Sequence, residues 1–234
     1  MTSTATRIAH LRKRIQAAAA RADRNVNEIL LLAVSKTRDS SEIQQALAAE
    51  IHTFGENYLQ EGLEKIAALE QTPAIWHFIG ALQSNKTRLV ANHFSWVHSV
   101  DRVKIAQRLS QHRNPHFAPL NICLQVNLDS EASKAGMQCD AVESAVNEII
   151  DLPQIRLRGL MAIPAPNLDE TVQRNAFERV RTLQATINRG LDNSQKLDTL
   201  SMGMSADLEA AILEGATILR VGTDIFGPRV SNNG

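Results

Sequence analysis

Eight short apolar runs, each parted from the next by a helical segment, constrain this chain more than any other feature. They lie at 30–36, 51–57, 75–80, 96–100, 121–127, 157–163, 197–202 and 217–223. Apolar runs of about 4–8 residues with polar borders read as buried strands. Alternation of strand and helix implies a parallel sheet with helices packed on its faces. Eight units in 234 residues predict one domain over 1–234. The expected fold is α/β, a single (β/α)8 TIM barrel, since such barrels run about 200–250 residues. A doubly wound open sheet is the alternative. One further helix, over 4–20, precedes the first strand, with Ile8, Leu11 and Ile15 at helical spacing.

The connecting helices carry their own punctuation. Asp39 and Glu42 have the spacing of a capping box, and Asp140 and Glu143 repeat it. Asp101 and Ser205 are expected to cap the helices that follow them. A helix over 58–69 should turn Leu59, Leu63 and Ile66 inward, another should span 84–92, and a long one over 169–189 should stop at Gly190.

Bulk properties exclude several classes. Lys+Arg and Asp+Glu both number 25, so the net charge is zero. A nucleic-acid or membrane-surface binder would carry a basic excess. No apolar run approaches the roughly 20 residues that span a membrane. The N-terminus lacks the apolar segment of a signal peptide. Two cysteines, Cys123 and Cys139, make neither a disulfide framework nor a metal motif, which fits a reducing, cytoplasmic setting.

In a barrel every strand ends on the face where ligands bind. Reading those ends gives Lys36, Asn57, His77, His98, Asn127, Met161, Ser201 or Gly203, and Gly222 with Thr223. The set holds one lysine and no His/Asp/Glu cluster dense enough for a metal. Taken alone, Lys36 reads as a solvated strand end. The loop after the seventh strand, 201–205, is small and glycine-containing, and a helix follows it directly. Barrels often hold phosphate after strands seven and eight, on backbone N–H groups at such a helix start. Ser205, Gly222 and Thr223 are the candidate phosphate ligands. Closure of the ring sets the first strand beside the eighth, which brings a lysine amine next to this phosphate site. Pyridoxal 5′-phosphate (PLP) has both the aldehyde and the phosphate for such a pair, and lysine takes its aldehyde as a Schiff base. Arg220 shares a strand face with Gly222 and could meet a ring nitrogen; a core ion pair is its competing role. His77 reads as a packed strand-end histidine, and Lys65 and Lys86 as solvated helical lysines.

Several stretches together resemble the PLP homeostasis proteins, also called the YggS-like or proline synthase co-transcribed family. They are Leu-Ala-Val-Ser-Lys at 32–36, Phe-Gly-Glu-Asn-Tyr at 54–58, Trp-His-Phe-Ile-Gly at 76–80, Leu-Gln-Ser-Asn-Lys at 82–86, Gly-Leu-Met-Ala-Ile at 159–163, Leu-Ser-Met-Gly-Met-Ser at 200–205, Arg-Val-Gly-Thr at 220–223 and Ile-Phe-Gly at 225–227. The resemblance spans nearly the whole chain. It implies the barrel of fold type III PLP proteins, of the alanine racemase N-terminal-domain type. It implies Lys36 as the Schiff-base lysine, Asn57 near the cofactor ring and Met204 in the pocket wall. Ser205, Gly222 and Thr223 would hold the phosphate, and Arg220 would face the pyridine nitrogen. Lys134 falls in a loop associated with handling PLP. Two residues depart from the family pattern. Arg38 stands where lysine is common, and Asp224 stands where a small neutral residue is usual. An inward Asp224 would repel phosphate, so its side chain is expected to point away.

Holding and delivering PLP, with PLP-dependent apoenzymes as recipients, is the function this resemblance implies. The alternative is a fold type III enzyme such as an amino-acid racemase. The racemases add a β-rich domain and a catalytic tyrosine from a partner subunit. Here the only tyrosine is Tyr58, and the chain ends just after the eighth strand. These features favour a carrier, and a monomer, over a racemase. A class I aldolase, a third possibility, fits the phosphate site but not the position of the lysine.

Overall fold

The computed structural model describes residues 2–128, 135–167 and 169–228. Its order is α1 (Thr4–Arg21), β1 (Leu30–Val34), α2 (Ser40–Ala48), β2 (Thr53–Glu56), α3 (Leu59–Ala68), β3 (Ile75–Phe78), α4 (Thr87–His93), β4 (Trp96–Val100), α5 (Val103–His112) and β5 (Leu120–Asn127). Then come β6 (Met137–Gln138), α6 (Cys139–Ile149), β7 (Ile155–Ala162), α7 (Glu170–Arg189), β8 (Thr199–Ser201), α8 (Leu208–Leu213), β9 (Ile218–Val221) and α9 (Thr223–Phe226). Every strand pairing is parallel. The ring β1-β2-β3-β4-β5-β7-β8-β9 closes through β1–β9 and β4–β5, giving the expected eight-stranded barrel. The two-residue β6, which the sequence pattern does not announce, adds to β5 outside the ring.

Strand alternation sorts residues into two cores. Ala33, Phe54, Trp76, Phe78, Val97, Leu200, Leu219 and Val221 face outward into the apolar layer beneath the helices. Their neighbours Leu32, His77, His98, Cys123, Met161, Ser201 and Arg220 are equally buried but fill the barrel itself. The outer layer is aliphatic and aromatic, whereas the lumen is largely polar.

Helix α1 stands outside the eight-fold repeat. Ser3 caps it by accepting from the Thr6 N–H, and Ile8, Leu11, Ile15 and Ala18 form its buried stripe. That stripe packs on α2, α8 and α9, so α1 covers the seam where the first and last units of the barrel meet.

The first capping box forms, with Asp39 and Glu42 satisfying each other's backbone N–H groups. Three expected caps do not. Asp101 is drawn to the guanidinium of Arg102, at 2.7 and 2.9 Å, and α5 starts beyond it without a side-chain cap. Asp140 falls inside the first turn of α6, because that helix already begins at Cys139. Ser205 sits in a turn and α8 starts only at Leu208. The helix expected over 84–92 splits into a 3-10 turn, Ser84–Lys86, and α4.

Gly159 allows β7 and β8 to approach, since a Cβ there would lie 1.8 Å from the Thr199 carbonyl oxygen. At Gly190 the nearest atom would be 3.6 Å away. Gly159→Ala should therefore lose about 3 kcal/mol or more by overpacking, and Gly190→Ala should stay within about 0.5 kcal/mol of wild type. Urea unfolding midpoints compare the two directly.

Candidate cofactor site

The C-terminal mouth of the barrel opens into a cavity of about 320 Å³. Lys36, Asn57, Met204, Ser205, Arg220, Gly222 and Thr223 all line it, joined by Val34, Arg38, Ile79, Ile163 and Ala206. The seven residues singled out from sequence thus come together in one place, although they are drawn from four different strand–helix units.

Lys36 reaches the cavity by register. Leu32 pairs with Arg220 and Ala33 with Val221 where β1 meets β9. Alternation then turns Leu32, Val34 and Lys36 to the inside. The strand itself ends at Val34, and Lys36 occupies the turn beyond it, half-buried. Thr37 holds a left-handed φ of 63°, a strained value for a β-branched residue. Its N–H donates to Glu61 Oε1 at 2.5 Å.

A buried ion cluster supports this turn from outside the barrel. Lys65 Nζ donates to the Ser35 carbonyl at 2.6 Å, to Glu56 Oε1 at 2.8 Å and to Glu61 Oε1 at 2.6 Å. The Ser35 hydroxyl adds a 2.5 Å bond to Glu56. Burial pushes the Glu56 carboxyl up, against the pull of the Lys65 and Ser35 hydrogen bonds. Lys65 is therefore not the solvated lysine expected from sequence. Gly62 and Lys65 are the fully buried residues of α3, and Leu59, Leu63 and Ile66 are only half-buried. The outward-pointing Glu56 is the reason, because a carboxylate in that layer needs a cation beside it. The signal available was an acidic residue closing an otherwise apolar strand. Lys86 is exposed.

Opposite Lys36 lie the loops after β8 and β9. Gly203 has φ 93°, and a Cβ there would meet Ala211 at 2.6 Å and Leu219 at 2.9 Å, so only glycine fits. The Asp207 carboxylate accepts from the Met204 N–H at 2.6 Å and folds the 204–207 turn that presents Ser205. Burial raises the Asp207 carboxyl, and the Met204 hydrogen bond opposes that rise. Sequence reading passed over Asp207 in favour of Ser205 as the cap. Thr223 opens α9 immediately after Gly222, where the first amides have no partner within the helix. Asp224 points away, as its position beside a candidate phosphate site demands, and pairs with Arg14 of α1 at 2.5 Å.

Arg220 forms the floor. Its guanidinium donates to the Ser201 carbonyl and hydroxyl and, at 2.9 Å, to the Ala162 carbonyl. Burial lowers its pKa to about 10, which keeps it charged at neutral pH. Its hydrogen-bond partners among the described residues are carbonyl and hydroxyl oxygens rather than a carboxylate, so the competing core ion pair does not form there. Below it, His98 Nδ1 lies 2.7 Å from Ser201 Oγ, and His98 Nε2 lies 2.9 Å from His77 Nδ1. His77 stacks on Trp96 with ring centroids 5.4 Å apart. Both histidines are therefore lumen packing beneath the cavity and do not line it. One order of donors accounts for these three contacts with both rings neutral. Arg220 donates to Ser201, Ser201 to His98 Nδ1, and His98 Nε2–H to His77.

Two buried side-chain oxygens accept no hydrogen bond among the described residues, Glu56 Oε2 and that of Asn57, and of the two residues only Asn57 lines the cavity, where a ligand's donor would fit. Gly80 packs against that residue, and a Cβ there would strike the Asn57 carbonyl at 1.9 Å. No group of three His, Cys, Asp or Glu residues among those described could hold a metal ion. Nor is any described helix long and apolar enough to cross a membrane. Lys134 lies outside the described residues.

The family model for the alanine racemase N-terminal domain matches residues 7–230. The pyridoxal phosphate homeostasis protein of Pseudomonas aeruginosa is 52% identical over 229 residues, covering 98% of this chain and 97% of its own. That of Escherichia coli is 46% identical over 232 residues, with 98% of both chains covered. The solved structure of PipY from Synechococcus elongatus with PLP bound is 35% identical, with a TM-score of 0.84 over 96% of this chain and 100% of PipY. Alanine racemase from Corynebacterium glutamicum shares the fold alone, at 14% identity and a TM-score of 0.67 over 97% of this chain and 63% of the racemase.

Burial holds the His77 imidazole neutral by pushing its pKa down from 6.5 to about 3. His98 is lowered well below its ordinary value, chiefly by burial and also by His77 and Arg220. The unfolded chain binds these protons below about pH 6.5, while the folded chain resists them. Their contribution to stability is thus complete above about pH 6.5 and is lost progressively as the pH falls below it. Urea midpoints between pH 7 and 4.5 should fall accordingly, and His77→Gln should flatten the slope.

Proposed function

Since the chain belongs to the alanine racemase N-terminal domain family, and within it to the pyridoxal phosphate homeostasis proteins, we propose that it holds PLP as a Schiff base on Lys36 and buffers or delivers it. The carrying observation is the single cavity that gathers one lysine amine, the orphaned Asn57 oxygen, the Ser205 and Thr223 side chains and a buried guanidinium. When bound, PLP supplies an aldehyde for the amine. Asn57 then contacts the ring and Met204 packs beside it. Ser205, Gly222 and Thr223 hold the phosphate, on hydroxyls and backbone N–H groups. Arg220 faces the pyridine nitrogen. Being charged already, it opposes protonation there and weakens the ring as an electron sink.

That electrostatics favours holding over turnover. So does the lining, whose titratable side chains among the described residues are Lys36 and two arginines, Arg38 and Arg220. A racemase needs a second group to move a proton on the opposite face. Tyr58 is 59% exposed and does not line the cavity. PLP-dependent apoenzymes are the proposed recipients, and the protein acts as a cytoplasmic monomer.

Wild-type protein mixed with PLP should turn yellow, and Lys36→Ala should lose that Schiff-base absorbance completely. A wild-type protein that stays colourless with added PLP contradicts the proposal. Racemisation of alanine by wild type, abolished in Lys36→Ala, would instead favour the enzyme.

A further inference from the structure

Arg14 on α1 ties together the two loops that carry the proposed phosphate ligands. Its Nη2 donates to the Ser205 carbonyl at 3.0 Å, and its Nη1 meets Asp224 Oδ2 at 2.5 Å. Its Nε and Nη2 hold both oxygens of Glu209, at 2.8 and 3.0 Å. Ser205 belongs to the loop after β8, and Asp224 follows Thr223 in the first turn of α9. One guanidinium therefore bridges the Ser205 loop and the first turn of α9. Two further arginines fix the rest of α9, Arg7 through the Ile225 carbonyl at 2.8 Å and Arg38 through the Gly227 carbonyl at 2.6 Å. Thr223 separates two spaces, lining the mouth cavity on one side and, with Arg14 and Asp224, a groove behind α9 on the other.

We propose that Arg14 is a positioning and charge-masking residue of the phosphate cup, drawing the Asp224 carboxylate to the far side of α9 and clamping the Ser205 loop to it. The inference rests on the reading of the cavity as a PLP site. Without Arg14, Asp224 would present an unneutralised negative charge one residue from a phosphate ligand, where like charges repel across a partly desolvated gap. The bidentate Glu209 contact orients the guanidinium so that Nη1 faces Asp224.

The test measures equilibrium uptake of PLP, and of pyridoxal, which lacks the phosphate, by wild type, Arg14→Gln, Asp224→Asn and the double variant. Arg14→Gln should weaken PLP on the order of tenfold and leave pyridoxal unchanged. Adding Asp224→Asn should restore most of the lost affinity, because the unmasked carboxylate adjoining Thr223 is then gone and only Glu209, on the neighbouring helix α8, has lost its partner. Equal weakening of both ligands, or unchanged PLP affinity, overturns the inference. A double variant no tighter than Arg14→Gln overturns the masking role. Wild type that takes up PLP while Arg14→Gln matches it sinks only this inference. Wild type that takes up none sinks the proposed function as well.

Discussion

Closure of the ring between β1 and β9 is the constraint on which the mouth of the barrel depends. The pairing of Leu32 with Arg220 decides which residues face each other across it. Because side chains alternate, a shift of one residue would send Lys36 out beneath the helices and bring Ser35 inward. The register is specified twice over. Ala33 and Val221 must enter the outer apolar layer, and the lumen must receive Leu32 and Arg220. Gly222 then approaches β1 closely enough that a Cβ would lie 3.2 Å from the Val34 carbonyl. The lysine amine and the phosphate-side loops are neighbours for this reason.

Buried polar groups supply the rigidity that such a mouth needs. On the lumen side, Arg220, Ser201, His98 and His77 form a continuous hydrogen-bonded chain. On the helix side, Glu56, Lys65, Glu61 and Ser35 form another. An unpaired buried charge costs several kcal/mol, and Lys65 with Ser35 offsets that cost at Glu56 Oε1, while Glu56 Oε2 has no hydrogen-bond partner among the described residues. The two networks grip the Lys36 turn and Arg220 from opposite faces of the wall. Asn57 belongs to neither network; it lines the cavity, and its buried side-chain oxygen has no hydrogen-bond partner among the described residues.

The barrel was legible in the sequence because eight apolar runs of strand length repeat with helices between them in 234 residues, a count that suits a closed ring; the β1–β9 and β4–β5 pairings exclude the open sheet. The cavity residues were legible for a related reason. Lys36, Asn57 and Gly222 each stand at or just past a strand end with inward parity. What stayed hidden depends on partners far away in sequence. Lys65 looks like any helical lysine until Glu56, on a different element, is placed beneath it. Arg14 is one of several arginines on the polar face of α1, and nothing local distinguishes it from Arg12. The Ser205 cap failed because Asp207, two residues later, competes for the same turn and folds it by binding the Met204 N–H. Short-range capping rules do not rank such rivals.

The central claim is that one amine, Lys36, holds the cofactor. Its most direct measurement is borohydride reduction of the PLP-loaded protein, followed by peptide mapping by mass spectrometry. The pyridoxyl phosphate group should appear on the peptide that contains Lys36 and on no other. Stoichiometric label on another lysine, with Lys36 unmodified, would contradict it.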